Sequence, residues 1–218
     1  MKQTRNFLML TLCMAVMGFS MTSCLFDDDD NNNNNNTVQP LTPAQKTAMI
    51  AEMAGDYDGY IYFTNDSSRT DSVKVRASVT AADSVFAIYD FPYRVLSQGI
   101  TNTTMHELID KAGESVFREV LRFYANSMGL DKLYTFWALP QSEDQLSHKF
   151  TIDGKEHDIR VTFSGQINTL NYYGITNIYY PCGEFYQKEL LVYILVSEIR
   201  VDDMVWNLNR VFYYYGKK

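Results

Sequence analysis

Hydrophobic and polar residues alternate along much of the chain, which is the pattern of strands that bury one face and expose the other. The alternation is weak over residues 57–64, clear over 71–79 and followed, after a short turn, by a third apolar segment over 84–91. Short turns between such segments favour an antiparallel meander of three strands. In the clearest strand, the residues on the apolar face are Val73, Val75, Ala77 and Val79.

A hairpin is predicted over residues 148–163, around the pair Asp153-Gly154. Both central residues of a two-residue type I′ turn need positive φ, and this pair favours that conformation. The turn fixes the register of the two strands, so that His148 and His157 lie on the same, mainly apolar face. We therefore expect both histidines on the core side of the hairpin, and the polar face toward solvent.

The last third of the chain has the strongest strand pattern. Residues 190–196 are apolar on both faces, which is typical of a central strand that is covered on each side. A polar turn is expected at 200–203, and alternation returns over 204–215, with Tyr213 on the more polar face. We expect the chain to end in a solvated tail, 216–218.

One helix is predicted ahead of the strands. Thr42 is a good N-cap residue, Pro43 suits the first helical position and Gln45 completes a capping box. Gly55 fits the stop signal at the C-terminal end of this helix. The apolar stripe expected to pack against the sheet consists of Ala48, Met49 and Met53.

A helical insertion is predicted between the third strand and the later strands. Thr104 and Glu107 resemble a second capping box. Residues 114–128 carry apolar side chains at helical spacing up to Gly129, so we expect them to continue the insertion as a helix. Strands are expected to return with the aromatic segment 134–139.

These elements predict a mainly β fold (α+β) of about eight or nine strands with an N-terminal helix and a helical insertion. Short turns between successive strands favour an antiparallel sheet, which either curls into a β-barrel or packs as a β-sandwich. The composition agrees, because 16 Tyr and 13 Phe against 11 Gly and 5 Pro suit a strand-rich core. Within the 218 residues, 41–218 are expected to form a single globular domain.

Residues 1–23 have the layout of a secretory signal peptide, with Lys2 and Arg5 ahead of an apolar run and small residues ahead of Cys24. The run is too short to cross a bilayer as a helix. The sequence Met-Thr-Ser-Cys at 21–24 resembles the lipobox of Bacteroidetes lipoproteins, which implies that Cys24 becomes the first mature residue and carries the lipid. The alternative is an ordinary signal peptide followed by an unmodified cysteine.

Residues 24–40 are predicted to be a flexible tether, because the runs Asp27–Asp30 and Asn31–Asn36 offer nothing apolar to fold around. Acidic residues just after the lipidated cysteine resemble the signal that directs Bacteroidetes lipoproteins to the outer face of the outer membrane. The expected location is therefore the outer membrane, with a lipid anchor and display at the cell surface. The periplasmic face is the alternative.

The net charge and the cysteine content limit which partners and which disulfide bonds are expected. The chain carries a net charge of −7, which argues against nucleic acid because phosphate contacts require clustered Lys and Arg. Cys13 leaves with the signal peptide and Cys24 carries the lipid, so Cys182 stands alone and no internal disulfide is expected. A buried thiol is the commoner state of such a cysteine, and a reactive thiol is the alternative.

Catalytic and metal chemistry have little support in the sequence. His148 and His157 would be diagonal neighbours with Cβ atoms about 7–8 Å apart, which is within reach of a bridging ion, but no third ligand can be named. The remaining histidine, His106, lies in the predicted helical insertion, and the pair Asp202-Asp203 lies in a turn where acids are usually solvated. We therefore expect no catalytic residue, metal or cofactor. The alternative is an enzyme that uses His148 or His157.

Two resemblances add an expected fold and location. The segment Gly55-Asp56-Tyr57-Asp58-Gly59-Tyr60 is similar to the Gly-x-Tyr-x-Gly-type strand of lipocalin-like lipoproteins from the same bacteria. From the lipobox through the first meander to the closing aromatic strand, the chain resembles a family of Bacteroidetes lipoproteins of unknown function. This resemblance implies an envelope location and an antiparallel β domain.

The sequence favours a non-enzymatic binding or accessory module at the envelope. An aromatic run broken by Gly and Asn suits stacking on sugar rings or on small apolar ligands. These aromatic residues could instead form a loop packed onto the core, in a structural or envelope-assembly lipoprotein without a ligand pocket. The candidate contact residues are Tyr172, Tyr173, Tyr179, Tyr180 and Tyr186.

Overall fold

Strands dominate the residues that the computed structural model describes, which are 40–123, 133–141, 146–170 and 176–218. The helices are α1 (Pro43–Met53), α2 (Arg94–Ser97) and α3 (Thr103–Lys111). The first six strands are β1 (Gly55–Thr64), β2 (Thr70–Thr80), β3 (Val85–Pro92), β4 (Glu114–Phe123), β5 (Tyr134–Pro140) and β6 (His148–Ile152). The others are β7 (Lys155–Phe163), β8 (Ile167–Leu170), β9 (Thr176–Tyr179), β10 (Cys182–Tyr186), β11 (Glu189–Val201) and β12 (Met204–Lys217).

Eight of these strands close into an antiparallel β-barrel. Their order is β10-β5-β4-β3-β2-β1-β12-β11, and β11 pairs with β10 to complete the ring. In this last pairing Phe185 lies opposite Leu190, and Gly183 lies opposite Val192. The fold class predicted from the sequence is confirmed, and the choice between barrel and sandwich is decided in favour of the barrel.

The interior of the barrel is filled by side chains, with large residues facing small ones. A Cβ on Gly183 would lie 2.4 Å from the ring of Phe136. A Cβ on Gly59 would lie 2.6 Å from the hydroxyl of Tyr214, and Gly216 is approached by the same tyrosine. Glycine is needed at these positions because the aromatic rings occupy the space of a side chain. The predicted core face of β2 is confirmed, since Val75, Ala77 and Val79 are buried.

α1 closes one end of the barrel. Its start agrees with the sequence, because the Thr42 side chain accepts from the backbone N–H of Gln45 in a complete capping box. The buried residues are Met49, Ile50 and Met53, whereas Ala48 of the predicted stripe is exposed. The Tyr57 hydroxyl donates to the carbonyl of Met53 at 2.5 Å, which ties the helix to β1.

The other end is covered by α2, α3 and the β6–β7 hairpin, which extends from the C-terminal half of β11. The predicted hairpin register is confirmed, with His148 opposite Ile159 and Phe150 opposite His157. Its turn residues Asp153 and Gly154 have φ values of 51° and 80°, as a type I′ turn requires. The tyrosine that precedes α2, Tyr93, stacks on His148 with ring centroids 5.8 Å apart.

The helix predicted over residues 114–128 is wrong, because 114–123 form strand β4 between β3 and β5. On this strand Phe117 and Leu121 point into the core, while Arg118 and Arg122 are exposed. Apolar residues in a short segment fit both a helical and a strand period, and here pairing with two neighbouring strands selects the strand. The rest of the predicted helix lies outside the described residues.

Two further expectations are corrected. α3 begins after Asn102, whose side chain accepts from the backbone N–H of Met105, so Thr104 is not the cap. The expected solvated tail 216–218 is only partly observed: Lys217 and Lys218 are exposed, but Gly216 is buried in β12 opposite Leu190, and Lys218 donates to backbone carbonyls near the end of α1. The closing strand therefore runs two residues further than the alternation indicated.

The predicted central strand is confirmed. β11 has buried residues on both faces, including Tyr193 and Leu195 on its outer side. Outside the barrel, β8 and β9 form a separate two-stranded sheet. The ring of Tyr179 from β9 lies 6.5 Å from that of Tyr193, so this small sheet covers part of the outer face of β11.

Candidate functional site

A row of tyrosine rings crosses the outside of the barrel over three neighbouring strands. β1 contributes two of these rings on its outer face, since the residue between them, Ile61, is fully buried inside the barrel. β12 and β11 bring the next two rings into line, and β9 adds the last. We call this feature the outer tyrosine surface, and its members are Tyr60, Tyr62, Tyr213, Tyr193 and Tyr179.

The rings of the outer tyrosine surface are in continuous contact. Tyr62 and Tyr213 are stacked, with centroids 4.9 Å apart and an interplanar angle of 7°. Tyr60 lies 6.2 Å from Tyr62, and Tyr193 lies 6.2 Å from Tyr213. These separations are within the range of favourable aromatic pairs, so each ring holds its neighbour in place. At the β1 end of the row, Tyr60 is 43% exposed.

Two hydroxyl groups of this surface, those of Tyr62 and Tyr213, have raised pKa values. Burial raises the pKa of Tyr62, and the neighbouring Tyr60 raises it further. Burial also raises the pKa of Tyr213, with Tyr62 as the second cause. A protonated phenol both donates and accepts hydrogen bonds, so these groups can serve either kind of polar ligand atom.

An open groove of about 620 Å³ lies on the outer side of the barrel near α1. Asp58 is one of its lining residues and lies opposite Arg76 of β2 and Lys217 of β12, whereas Tyr60 does not line the groove itself. Tyr60 is the next residue on the same face of β1, about 7 Å along the strand. The polar residues that line the groove are Asp56, Asp58, Arg76, Tyr89, Lys217 and Lys218.

Two basic side chains of the groove are held by acids. Arg76 donates from Nε to Asp90 at 3.0 Å and forms an ion pair with it through a second nitrogen at 3.0 Å, which raises the pKa of this arginine. Lys217 forms an ion pair with Glu189. Asp58 forms a longer ion pair, with its carboxylate 3.8 Å from the ammonium of Lys74, and both of these side chains are largely exposed.

Lys218 is held by the end of α1. Its ammonium donates to the carbonyls of Glu52 and Ala54, both at 2.6 Å, and lies 5.6 Å from the ring centre of Tyr57. Burial lowers the pKa of Lys218. These contacts fix the position of the ammonium at the margin of the groove.

The tyrosines selected from the sequence do not form one cluster. Tyr179 belongs to the outer tyrosine surface, whereas Tyr180 packs edge-on against Trp137, with centroids 5.8 Å apart. The hydroxyl of Tyr186 accepts from the side chain of Gln187 at 2.8 Å. Tyr172 and Tyr173 lie outside the described residues.

Sequence reasoning missed the other members of the outer tyrosine surface. One signal was available, because the alternation of β12 already separates Tyr213 from the core residues Phe212 and Tyr214. The pairing of β12 with both β1 and β11 is what brings Tyr213 beside Tyr62 and Tyr193. That strand order depends on residues far apart in the sequence.

The core-side histidines of the hairpin are used in packing. His157 is buried, and its Nδ1 lies 2.8 Å from the carboxylate of Asp202 in the turn between β11 and β12. The pKa of Asp202 lies below its ordinary value. The larger cause is the hydrogen bond from the backbone N–H of Asp158, and the second is the hydrogen bond with His157. Asp202 was expected to be solvated, and it instead fastens this turn to β7. His148 stacks on Phe150 with centroids 6.2 Å apart.

The third histidine joins α3 to the turn between β1 and β2. His106 lies 3.5 Å from Asp110 through Nδ1 and 3.8 Å from Asp66 through Nε2. The buried Ser97 donates to Asp110 at 2.5 Å. The serine hydroxyl therefore contacts the carboxylate and not the imidazole. A histidine that activates a serine nucleophile contacts the serine itself, so this arrangement differs from a catalytic triad.

Two buried acidic groups have raised pKa values. Cys182 is free and buried, as predicted, and burial raises the pKa of its thiol to about 12. Glu119 is 1% exposed on the inner face of β4, and neither side-chain oxygen has a hydrogen-bond partner among the residues that the structure describes. Burial raises the pKa of Glu119 well above its ordinary value.

The part of the chain that the structure describes has neither a metal-binding cluster nor a membrane-spanning helix. No set of three or more His, Cys, Asp or Glu side chains there is arranged to hold a metal ion. None of the helices among the same residues is long and apolar enough to cross a membrane. The predicted lipidation site, Cys24, lies outside the described residues.

Comparison with known proteins assigns a family. Neither the search of curated proteins nor the search of solved structures gave a match. One family model matches residues 52–201, which include all the barrel strands from β1 to β11. By this match over more than half of its length, the chain belongs to the family described as "Domain of unknown function (DUF4840)".

Proposed function

We propose that this protein is an exported lipoprotein, anchored through Cys24 to the outer membrane, whose barrel binds a ligand without transforming it. The signal-peptide layout, the lipobox-like sequence 21–24 and the acidic tether 24–40 support export and anchoring. The outer tyrosine surface supports binding. Display at the cell surface follows from the acidic residues after Cys24, as an expectation from the resemblance to surface lipoproteins.

The observation that carries the binding function is a continuous row of tyrosine rings on the outer side of the barrel, next to an open groove. The core of the barrel has its own aromatic residues, including Phe86 and Tyr214, so the outer rings are additional to them. Tyr193 in this row is buried, but Tyr60 at its end is exposed, and tyrosine is enriched at binding surfaces because its ring is apolar and its hydroxyl is polar. Tyr60 is the most exposed member and lies nearest the groove.

The arrangement of the rings suits ligand binding energetically. A tyrosine has few rotatable bonds, and contact with neighbouring rings fixes them before the ligand arrives. Binding then costs little side-chain entropy, which is the benefit of a preorganised site. Flat apolar faces with hydroxyl groups at their edges fit two ligand classes, namely sugar rings and small apolar molecules.

The test is a binding screen with the full-length protein in detergent micelles, using an immobilised glycan array and the apolar dye ANS as probes. We expect saturable binding to one of these probes and a loss of affinity of roughly tenfold or more in Tyr60→Ala, since aromatic anchors dominate binding energies. The matched control is Val205→Ala, which truncates another exposed apolar residue, at the far end of β12.

Absence of binding to both probes would contradict the proposal, and so would binding that Tyr60→Ala leaves unchanged. Either result would favour the structural or envelope-assembly lipoprotein, in which the tyrosines only pack the outer face of the barrel. That alternative draws support from the barrel interior, which large side chains such as Phe136 and Tyr214 fill.

A further inference from the structure

We infer that the groove beside Tyr60 binds a neutral, hydroxyl-rich glycan, with one sugar ring stacked on Tyr60 and its hydroxyls donating to the carboxylates of Asp56 and Asp58. The inference rests on the proposed binding function and names the ligand class of the same site. Three features of the groove support it: its hydrogen-bonding groups, its charge balance and its shape.

The groove offers exposed carboxylates as hydrogen-bond acceptors for a ligand. Asp56 and Asp58 are exposed residues on the outer face of β1, and the carboxylate of Asp56 has no ion-pair partner among the described residues. Asp58 lies 3.8 Å from the ammonium of Lys74, and its cross-strand neighbours Arg76 and Lys217 are each paired with another acid. Sugar hydroxyls are donors that a carboxylate accepts in charge-assisted hydrogen bonds.

The basic groups of the groove are already engaged. Arg76 is held by Asp90, and Lys217 is held by Glu189. The ammonium of Lys218 donates hydrogen bonds to two backbone carbonyls at the end of α1. An anionic ligand would have to break these contacts, and it would also meet the carboxylates of Asp56 and Asp58 on β1. The groove therefore disfavours acidic glycans.

The charges around the groove are nearly balanced, which disfavours a cationic ligand as well. The acids are Glu52, Asp56, Asp58, Asp90, Glu114 and Glu189, and the bases are Lys74, Arg76, Lys188, Lys217 and Lys218. With charges of both signs side by side, long-range attraction selects neither sign of ligand strongly. An apolar ligand is disfavoured too, because covering exposed carboxylates without giving them hydrogen bonds costs free energy.

The shape of the groove agrees with a sugar chain. Its volume of about 620 Å³ lies within the range of small-molecule sites, and it is open toward solvent, so a chain can enter and leave along the surface. Asp56, Asp58 and Tyr60 follow one another on one face of β1 at steps of about 7 Å. A ring on Tyr60 therefore has carboxylate acceptors on one side of it.

The ligand class is tested on the glycan array with neutral and acidic members, using the full-length protein in micelles. We expect the bound members to be neutral, with affinity that changes less than about twofold between 50 and 500 mM NaCl, because no ion pair forms with the ligand. Binding confined to acidic glycans, to ANS alone or to no probe would overturn the inference.

The residues are tested with the double variant Asp56→Asn, Asp58→Asn, for which we expect a loss of affinity of about tenfold or more for the bound neutral glycan. The matched control is Asp203→Asn, an exposed acid in the turn at the other end of β12, for which we expect no change. Thermal unfolding of each variant checks that the barrel is intact.

The outcomes separate this inference from the proposed function. If Tyr60→Ala abolishes binding and the double Asn variant does not, the outer tyrosine surface binds a ligand but the carboxylates do not recognise it. If Tyr60→Phe keeps the affinity while the double Asn variant loses it, ring stacking and carboxylate acceptance both contribute as inferred. If neither Tyr60→Ala nor the double variant matters, both proposals fail.

Discussion

Glu119 is the residue whose surroundings match its chemistry least. It lies on the inner face of β4, opposite Phe86 of β3 and Pro140 of β5, and its two neighbours on that face are Phe117 and Leu121. Within the described part of the chain, neither carboxyl oxygen has a hydrogen-bond partner, and burial raises the pKa of Glu119. A neutral carboxyl group in an apolar core is the state that costs least free energy there.

The raised pKa makes the stability of the barrel depend on pH. The ordinary pKa of a glutamate is 4.5, and the folded-state pKa of Glu119 lies well above it. As the pH rises above 4.5, the unfolded chain releases this proton while the folded chain keeps it. The contribution of Glu119 to the free energy of unfolding is therefore fully present below pH 4.5 and is lost as the pH rises toward the folded-state value.

We expect Glu119→Leu to raise the free energy of unfolding at pH 8 by about 1–3 kcal/mol, because an unsatisfied polar group is replaced by an apolar one of similar size. The gain should be smaller at pH 5, where the unfolded state holds more of the proton. Urea denaturation at both pH values measures the difference. Glu114→Gln, on the exposed start of β4, is the control, and a loss of stability in Glu119→Leu would show that the carboxyl group has a partner.

At the scale of the elements, the pairing of β10 with β11 is the contact that closes the barrel. It depends on Gly183, where a Cβ would lie 2.4 Å from both the ring of Phe136 and the carbonyl oxygen of Leu191. One of these neighbours is backbone of the adjacent strand, so it cannot move aside as a flexible side chain does. The strand therefore needs a residue without a side chain at this position.

We expect Gly183→Ala to lower the free energy of unfolding by about 1–3 kcal/mol, as overpacked substitutions in cores do. Gly165→Ala is the matched control, because no heavy atom lies within 4 Å of its Cβ position. That variant should be neutral or slightly stabilising, since it reduces the entropy of the unfolded chain. Equal effects of the two variants in urea denaturation would contradict the close approach at Gly183.

The elements also show where sequence patterns fail. The β6–β7 hairpin was predicted in register because its Asp153-Gly154 turn and its alternation act over a few residues. Residues 114–123 were predicted as a helix, because their apolar positions fit a period of 3.6 as well as a period of 2. Pairing of β4 with β3 and β5 supplies hydrogen bonds and core contacts that a helix there would lack.

At the scale of the whole molecule, the proposed anchor gives a direct test. We expect the wild-type protein expressed in a bacterial host to incorporate labelled palmitate and to partition into the detergent phase, because each buried CH₂ contributes about 0.8 kcal/mol of membrane affinity. Cys24→Ser should incorporate no label and should leave the membrane fraction. Cys182→Ser, at the buried free thiol, is the control and should be labelled like the wild type. An unlabelled wild-type protein would contradict the anchor.

The candidate site shows which of its residues could be predicted from the sequence. Of the tyrosines chosen for their clustering along the chain, Tyr179 is the member that the structure places on the outer tyrosine surface. Tyr60, Tyr62 and Tyr213 come from opposite ends of the folded chain and meet because β1 pairs with β12. Their grouping could not be read from spacing along the sequence.

The sequence by itself determined the strands that alternate, the capped helix α1, the β6–β7 turn and the mainly β class, because each follows from interactions between residues close in the chain. The tertiary structure decided the closure of the barrel, the identity of β4 as a strand, the isolation of Glu119 and the assembly of the outer tyrosine surface. These depend on which distant strands become neighbours, and that choice is made by the packing of the whole core.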